Sequence, residues 1–393
     1  MKQQNHLLIS TLLVSLSAGI FLYGCNSTVN KVSEKSGNTK NLIADFLLAP
    51  EGNSNINNRK FEQVPAIAAD TDGKVIYVAW YSGGLAPGPG NFVTVSTSID
   101  NGNSWLNDQL VVYPKQSTSR IFDPALWRDH NGQVNLFYGS VKDSILWDGY
   151  GGVNSVKIGW DGSKMTWNAP KRLSDGVMSN KPIYLASKDL NLLPVYIDKP
   201  SKDNTGVKYP VNGAFVLSQN NQSELNPYSS VILPDSIRIH DEPQLVELTE
   251  NGQFLMLLRT TKGIYSATSS DYAKTWSEPK PFTASGPTTS SRFYIGKLAS
   301  GNLLLITNNS TTRNNMTASL SRDGGKTWPY QLLLDERENV SYPDADQTSD
   351  GNIHVVFDRD RTGAMDIIYC RFSEDDLIKG YNKKLFKIRV NKP

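Results

Sequence analysis

The sequence predicts an all-β chain folded as a six-bladed β-propeller with four-stranded antiparallel blades. Three observations over its 393 residues predict this architecture: a recurring eight-residue turn element, a second register of hairpin turns, and a third register of X-Pro steps. Each register places the same repeat unit, and units of this length built from several short strands stack as propeller blades.

The turn element is clearest as Ser98-Ile99-Asp100-Asn101-Gly102-Asn103-Ser104-Trp105 and Ser321-Arg322-Asp323-Gly324-Gly325-Lys326-Thr327-Trp328. It recurs, with Ala273 in the glycine place, from Ser269 to Trp276, and eroded copies are expected near Gly159, at Ser218 and at Ser373. Hairpin-type pairs follow at Asp72-Gly73, Asn131-Gly132, Asn251-Gly252, Ser300-Gly301 and Asp350-Gly351, with a weaker turn near Leu190. Pro65, Pro124, Pro182, Pro243 and Pro343 open five of the units, and Ser291-Arg292 fills the remaining place. Between these markers lie alternating or continuous apolar runs of strand length, such as Val75–Trp80 and Leu303–Ile306.

Ahead of the repeats, Lys2 and an apolar stretch from Leu7 to Leu22 read as an export signal over residues 1–24, too short and too rich in Ser and Thr for a stable membrane span. Leu22-Tyr23-Gly24-Cys25 resembles a bacterial lipobox, with Cys25 as the lipidated residue. Residues 25–41 are mostly polar and suit a flexible tether, which leaves 42–393 for the propeller. The expected location is therefore exported and lipid-anchored, at the outer membrane. An ordinary secretory signal is the alternative, and it exports the chain without anchoring it.

Composition narrows the partners. Forty Lys plus Arg against 38 Asp plus Glu leave a formal charge of +2, so neither nucleic acid nor an acidic membrane surface is expected as the main partner. Seventeen Tyr, 13 Phe and 8 Trp beside 30 Gly and 20 Pro fit many short strands joined by tight turns. Two cysteines make no disulfide framework, and Cys370, within Asp366–Phe372, reads as a small buried hydrophobe. His130, His240 and His354 lack metal-ligand spacing. Asp70-Thr71-Asp72-Gly73 and Asp358-Arg359-Asp360 carry fragments of a calcium loop without the complete pattern, and read as turns and solvated edges. No cofactor is expected, a structural calcium ion is unsupported, and the chain is expected to be a monomer.

Propeller geometry selects candidate site residues. The first strand of each blade lines the central channel, so residues just before or at the X-Pro steps should ring one mouth. Those are Gln63, Arg120, Asp123, Lys181, His240, Asp241, Glu242, Arg292, Tyr342 and Asp344. Taken singly, each is as readily a solvated loop charge; together they make a mouth dense in cations.

The Ser-x-Asp-x-Gly-x-Thr-Trp element resembles the Asp box of the sialidase superfamily, where its Asp, Gly and Trp are structural. Asp100, Asp271 and Asp323 are accordingly not catalytic candidates. His240–Leu248, continued to Arg259, is similar to the segment that carries the catalytic glutamate and a substrate-binding arginine in that family. Arg313-Asn314-Asn315-Met316-Thr317 looks like the segment with a further arginine, and Ser341-Tyr342-Pro343-Asp344 sits where the family has its nucleophilic tyrosine. The resemblance covers most of the chain from about residue 60 onward. It implies Tyr342 as nucleophile, Glu242 as its base, and Arg259 and Arg313, with Arg120 and Arg292, on the carboxylate of an acidic sugar. Arginine suits that carboxylate through paired, charge-assisted hydrogen bonds, and a neutral phenol escapes the repulsion that a carboxylate nucleophile would meet.

Two departures mark a divergent branch. Gln63, in Phe61-Glu62-Gln63-Val64-Pro65, stands where the family has an arginine, and Arg120 is the expected replacement. Residues 81–91, where the family places its acid/base aspartate, contain no carboxylate, which leaves Asp123 or Asp241 to serve. The expected function is release of a terminal acidic sugar, sialic acid first, with retention. Two alternatives stay open: a propeller hydrolase or lyase acting on uronate- or rhamnose-containing polysaccharide, and a non-catalytic glycan-binding surface lipoprotein.

Overall fold

The computed structural model describes residues 45–48, 59–84, 87–142, 151–198, 212–220, 225–249, 251–380 and 385–391. The export segment, Cys25 and the tether lie outside them.

Six antiparallel sheets follow one another along the chain, each made of consecutive strands, and form a six-bladed propeller. The innermost strands are Phe61–Ala69, Arg120–Arg128, Ile183–Leu185, Gln244–Thr249, Tyr294–Lys297 and Val340–Gln347, one per blade in order. Blade 1 gains a fifth, outer strand, Asp45–Leu48, paired with Leu106–Tyr113. Blade 2 gains the short Met165–Trp167 beside Gly152–Trp160. The Asp-Gly, Asn-Gly and Ser-Gly turns join the first and second strands of blades 1, 2, 4, 5 and 6, with glycine φ from 71° to 85°. In blade 3 the weak turn near Leu190 is a short 3-10 turn, Ala186–Lys188, followed by left-handed Asp189.

The Asp boxes connect third and fourth strands. Asp323 shows their logic: Oδ1 accepts hydrogen bonds from the Ser321 hydroxyl at 2.8 Å and the Thr327 amide at 2.9 Å, and Oδ2 accepts from the Thr327 hydroxyl at 2.6 Å. These bonds hold its carboxyl down at about 2. Trp328 leaves the turn to meet Phe282 of blade 4 edge-on at 6.4 Å, and Trp105 meets Tyr369 of blade 6 at 5.3 Å, so the boxes also pack blades together. One expected copy is something else. Ser373 is the N-cap of a short helix, Glu374–Lys379, with a reciprocal capping box to Asp376.

The apolar core lies between sheets. Ala66, Ala79 and Val95 of blade 1 pack on Leu126, Leu136 and Val156 of blade 2, and Cys370 is fully buried in a comparable layer between blades 5 and 6. The ring closes between blades 6 and 1 without a shared strand. Carboxylates of blade 6 accept hydrogen bonds from backbone amides of the first inner strand: Asp358 from Val64 at 3.0 Å, Asp344 from Ile67 at 2.8 Å and Asp346 from Ala69 at 2.9 Å. Asp358 is thus fully buried, which corrects its reading as a solvated edge. Among the described residues no helix is long and apolar enough to cross a membrane.

Candidate active site

The X-Pro steps do more than open the blades. Val64, Asp123, Glu242 and Tyr342 each precede a proline and each adopts a left-handed backbone, with φ of 55°, 44°, 41° and 52°. In blades 1, 2 and 6 the pairing register shifts there, between Gln63 and Ala66, Phe122 and Ala125, and Ser341 and Asp344. In blade 4, His240, Asp241 and Glu242 are left-handed in succession. A non-glycine residue held this way costs about 1–3 kcal/mol and persists only where the surroundings over-determine it. Here the three bulges and the left-handed run of blade 4 bring all four pre-proline side chains to one cavity of about 230 Å³.

Tyr342 is 7 % exposed and sits among guanidinium groups. Arg259 Nη1 lies 3.2 Å from its phenol oxygen and Arg313 Nη2 lies 3.4 Å from it. Arg361 stands 4.1 Å above the ring centre, Arg313 4.9 Å and Arg292 5.4 Å. Burial pushes the phenol up, but Arg361, Arg259 and Arg313 outweigh it and bring Tyr342 down to about 8, against the opposing charge of Glu242. Tyr81 and Tyr196 line the same cavity, and burial carries both well above the ordinary phenol value.

Glu242 Oε1 accepts from the same Arg259 Nη1, at 3.1 Å. Asn180 of blade 3 fixes the Glu242 backbone by donating to the carbonyls of Glu242 and Pro243 at 2.9 and 3.0 Å. Asp123 faces the cavity from blade 2. Burial and the neighbouring Glu242 raise its carboxyl above the usual range, with Arg120, Arg292 and His240 opposing. His240 Nδ1 donates to Asp198 Oδ2 at 2.9 Å, and this contact, against burial, lifts the imidazole to about 9.

Other expected members of the mouth stand elsewhere. Asp241 is fully buried and held from Arg238 Nη2 at 2.7 Å and Nε at 3.1 Å, because the left-handed run turns it away from Glu242; it does not line the cavity and is withdrawn as an acid/base candidate. Lys181 reaches into the channel, where Nζ donates to the carbonyls of Ile67 and Leu126 and pairs with Asp344 at 2.6 Å. Lys181 and Asp344 therefore staple blades 1, 2, 3 and 6 below the mouth. Arg292 is 1 % exposed and donates to the carbonyls of Ser179 at 2.7 Å and Pro65 at 2.8 Å, so it supports the floor beneath Tyr342. Arg120 and Gln63 line the cavity; Arg120 Nη1 donates to the Tyr81 hydroxyl at 2.9 Å, and its guanidinium stacks 4.1 Å from the Phe122 ring centre. Pro87 stands on the cavity wall in the carboxylate-free loop. Arg361 lines the cavity without having been a candidate from the sequence, as do Asp198, Tyr81 and Tyr196. Among the described residues no three His, Cys, Asp or Glu side chains converge as a metal site.

A six-bladed propeller with a buried tyrosine, a glutamate and several arginines at one mouth is a BNR repeat-like protein whose fold recurs in solved sialidases. Residues 74–355 match the BNR repeat-like domain, and the chain belongs to that family. No curated protein matches it. The Hadza microbial sialidase Hz136 shares the fold at a TM-score of 0.61 and 16 % identity, over 82 % of this chain and 67 % of that one. A variant of the NanB sialidase from Streptococcus pneumoniae gives 0.60 and 13 %, over 86 % and 71 %. The leech intramolecular trans-sialidase gives 0.61 and 13 %, over 88 % and 71 %. At these identities the likeness is one of fold.

Proposed function

We propose that this protein is a retaining exo-glycosidase that releases a terminal acidic sugar, sialic acid in the first place, with Tyr342 as nucleophile. The observation that carries the reading is the phenol of Tyr342, buried yet brought down to about 8 by the arginines around it. A sugar with a carboxylate on its anomeric carbon places negative charge where those guanidiniums converge, and the reacting carbon beside the phenol.

In the first displacement Tyr342 oxygen bonds to the anomeric carbon as its proton passes to Glu242. The glycosidic bond breaks, and the leaving oxygen takes a proton from Asp123, whose carboxyl burial and the neighbouring Glu242 raise above the usual range. In the second, the Asp123 carboxylate takes a proton from water as the water oxygen bonds to the anomeric carbon, the Tyr342 oxygen leaves and takes back its proton from Glu242, and both Tyr342 and Asp123 are restored. Two inversions give retention, with tyrosine in the role a carboxylate has in most retaining glycosidases. The sialidase-like fold of the neighbours supports the class of reaction; their names alone suggest the sugar.

Release of 4-methylumbelliferone from its α-sialoside, compared with Tyr342→Phe, tests the proposal. Release that survives in Tyr342→Phe sinks it. The neutral Gln63 favours a second reading, a hydrolase or lyase for uronate-linked polysaccharide; a lyase would produce new absorbance at about 230–240 nm after proton abstraction. Saturable binding of an acidic glycan with no released product would mark a binding protein. The reading includes export and anchorage through Cys25, supported by the sequence pattern; metabolic labelling with a fatty-acid analogue, lost in Cys25→Ser, checks it.

A further inference from the structure

We propose that Arg361 supplies the guanidinium missing at Gln63 and, with Arg259 and Arg313, holds the carboxylate of the bound sugar. The inference rests on the reading of the cavity as an acidic-sugar site, and it names a specificity residue that the sequence pattern does not mark.

Three arginines reach Tyr342 from equivalent places in three consecutive blades. Arg259 lies in the second strand of blade 4, Gln253–Thr260. Arg313 follows the second strand of blade 5, Leu303–Asn308, and Arg361 follows that of blade 6, Asn352–Arg359. Their guanidinium carbons stand 5.8, 4.9 and 4.1 Å from the centre of one phenol ring. Charges arranged in this way converge beside the nucleophile.

Arg361 is also tied to the place of the departure. Its carbonyl accepts the amide of Glu62 at 3.0 Å, which fixes it against the residue just before Gln63. The side chains of Arg361 and Gln63 line the same cavity. Nη2 of Arg361 donates to the Ser341 hydroxyl at 2.8 Å, and Nε lies 3.5 Å from Asp358. Asp358 is shared with the Val64 amide and the Ser341 hydroxyl, so it orients the guanidinium while its charge is divided. The other cations near the mouth are engaged otherwise: Arg120 on Tyr81 and Phe122, Arg292 on two backbone carbonyls. A guanidinium beside Gln63 makes an arginine at 63 redundant, and two there would add a repulsion that the neutral glutamine avoids.

The test measures binding of N-acetylneuraminate, galacturonate and their methyl esters by calorimetry, with the KM for the α-sialoside, in wild type, Arg361→Gln, Arg361→Lys and Arg361→Gln with Gln63→Arg. The expected result for Arg361→Gln is a loss of about 10- to 100-fold in affinity for the acid, with ester binding unchanged. Arg361→Lys keeps the charge without the paired donors and falls between, which secures the test if the glutamine variant fails to fold. Gln63→Arg recovers most of the loss. Acid and ester weakened together would show a structural role and overturn the proposal, as would wild-type affinity in Arg361→Gln; in both cases the acidic-sugar reading survives. Failure of wild type to bind either acid overturns that reading and the inference with it.

Discussion

Glu242 and Arg259 form a buried pair, Oε1 to Nη1 at 3.1 Å, that uses only one carboxylate oxygen; Oε2 has no hydrogen-bond partner among the described residues. Because the same Nη1 touches the Tyr342 oxygen at 3.2 Å, the arginine holds the Glu242 carboxylate and the Tyr342 phenol side by side. Glu242→Gln preserves an acceptor for Arg259 but not a proton acceptor for the phenol. We expect turnover to fall by about 10²- to 10⁴-fold with little change in melting temperature, measured by steady-state kinetics and calorimetry.

Tyr342 should titrate apart from the other tyrosines. With its value lowered to about 8, the phenol is mostly protonated below that pH and mostly phenolate above it. A near-ultraviolet titration should show one phenolate forming near pH 8 in wild type and none there in Tyr342→Phe. In Arg361→Gln the same step should move to higher pH, since the guanidinium nearest the ring is removed.

His240 offers a second titration. Its folded value of about 9 lies above the ordinary value near 6.5, so the stability contributed by the Asp198 contact is fully present below about pH 6.5 and is lost as pH rises through about 9. Asp198→Asn should bring the imidazole resonances of His240 back toward the ordinary value. The same variant should flatten the fall in wild-type stability across that window.

Ala273 occupies the Asp-box place held by Gly102 and Gly325, with φ of 63° beside their 80° and 85°. An L-residue pays a steric penalty in this conformation that glycine does not. Ala273→Gly should stabilise the fold by about 1 kcal/mol, read as a higher denaturation midpoint, with turnover unchanged because the box is remote from the cavity.

What could be read in advance followed from local chemistry. Asp-Gly and Asn-Gly turns, X-Pro steps and the Ser-x-Asp turn element each impose a backbone shape, so they located the six blades without any knowledge of packing. Tyr342, Glu242, Arg259 and Arg313 were legible because their order relative to these markers resembles a known family. Direction along the channel was not legible: Lys181, Arg292 and Asp344 stand in the right register yet turn below the mouth, toward carbonyls and amides that only the assembled ring brings near. Asp241 was misplaced because three successive left-handed residues reverse the side to which neighbours point. Arg361 was hidden within Asp358-Arg359-Asp360-Arg361, a charged run whose burial depends on the meeting of blades 6 and 1. Ser373 was ambiguous because serine with an acidic residue three positions on serves a helix cap as well as an eroded turn.

The meeting of those two blades gives the propeller a clasp, and the mouth is built across it. Tyr342 and Arg361 belong to one jaw, Gln63 and Val64 to the other, and carboxylate-to-amide contacts together with a buried apolar layer that includes Ile67, Val78, Val356 and Ile367 fasten them. If the clasp parts, all six sheets can keep their strands while the cavity ceases to exist. Ligand binding in that cavity would therefore report ring closure, a state that measurements of strand content alone would not distinguish from an open, fully pleated chain.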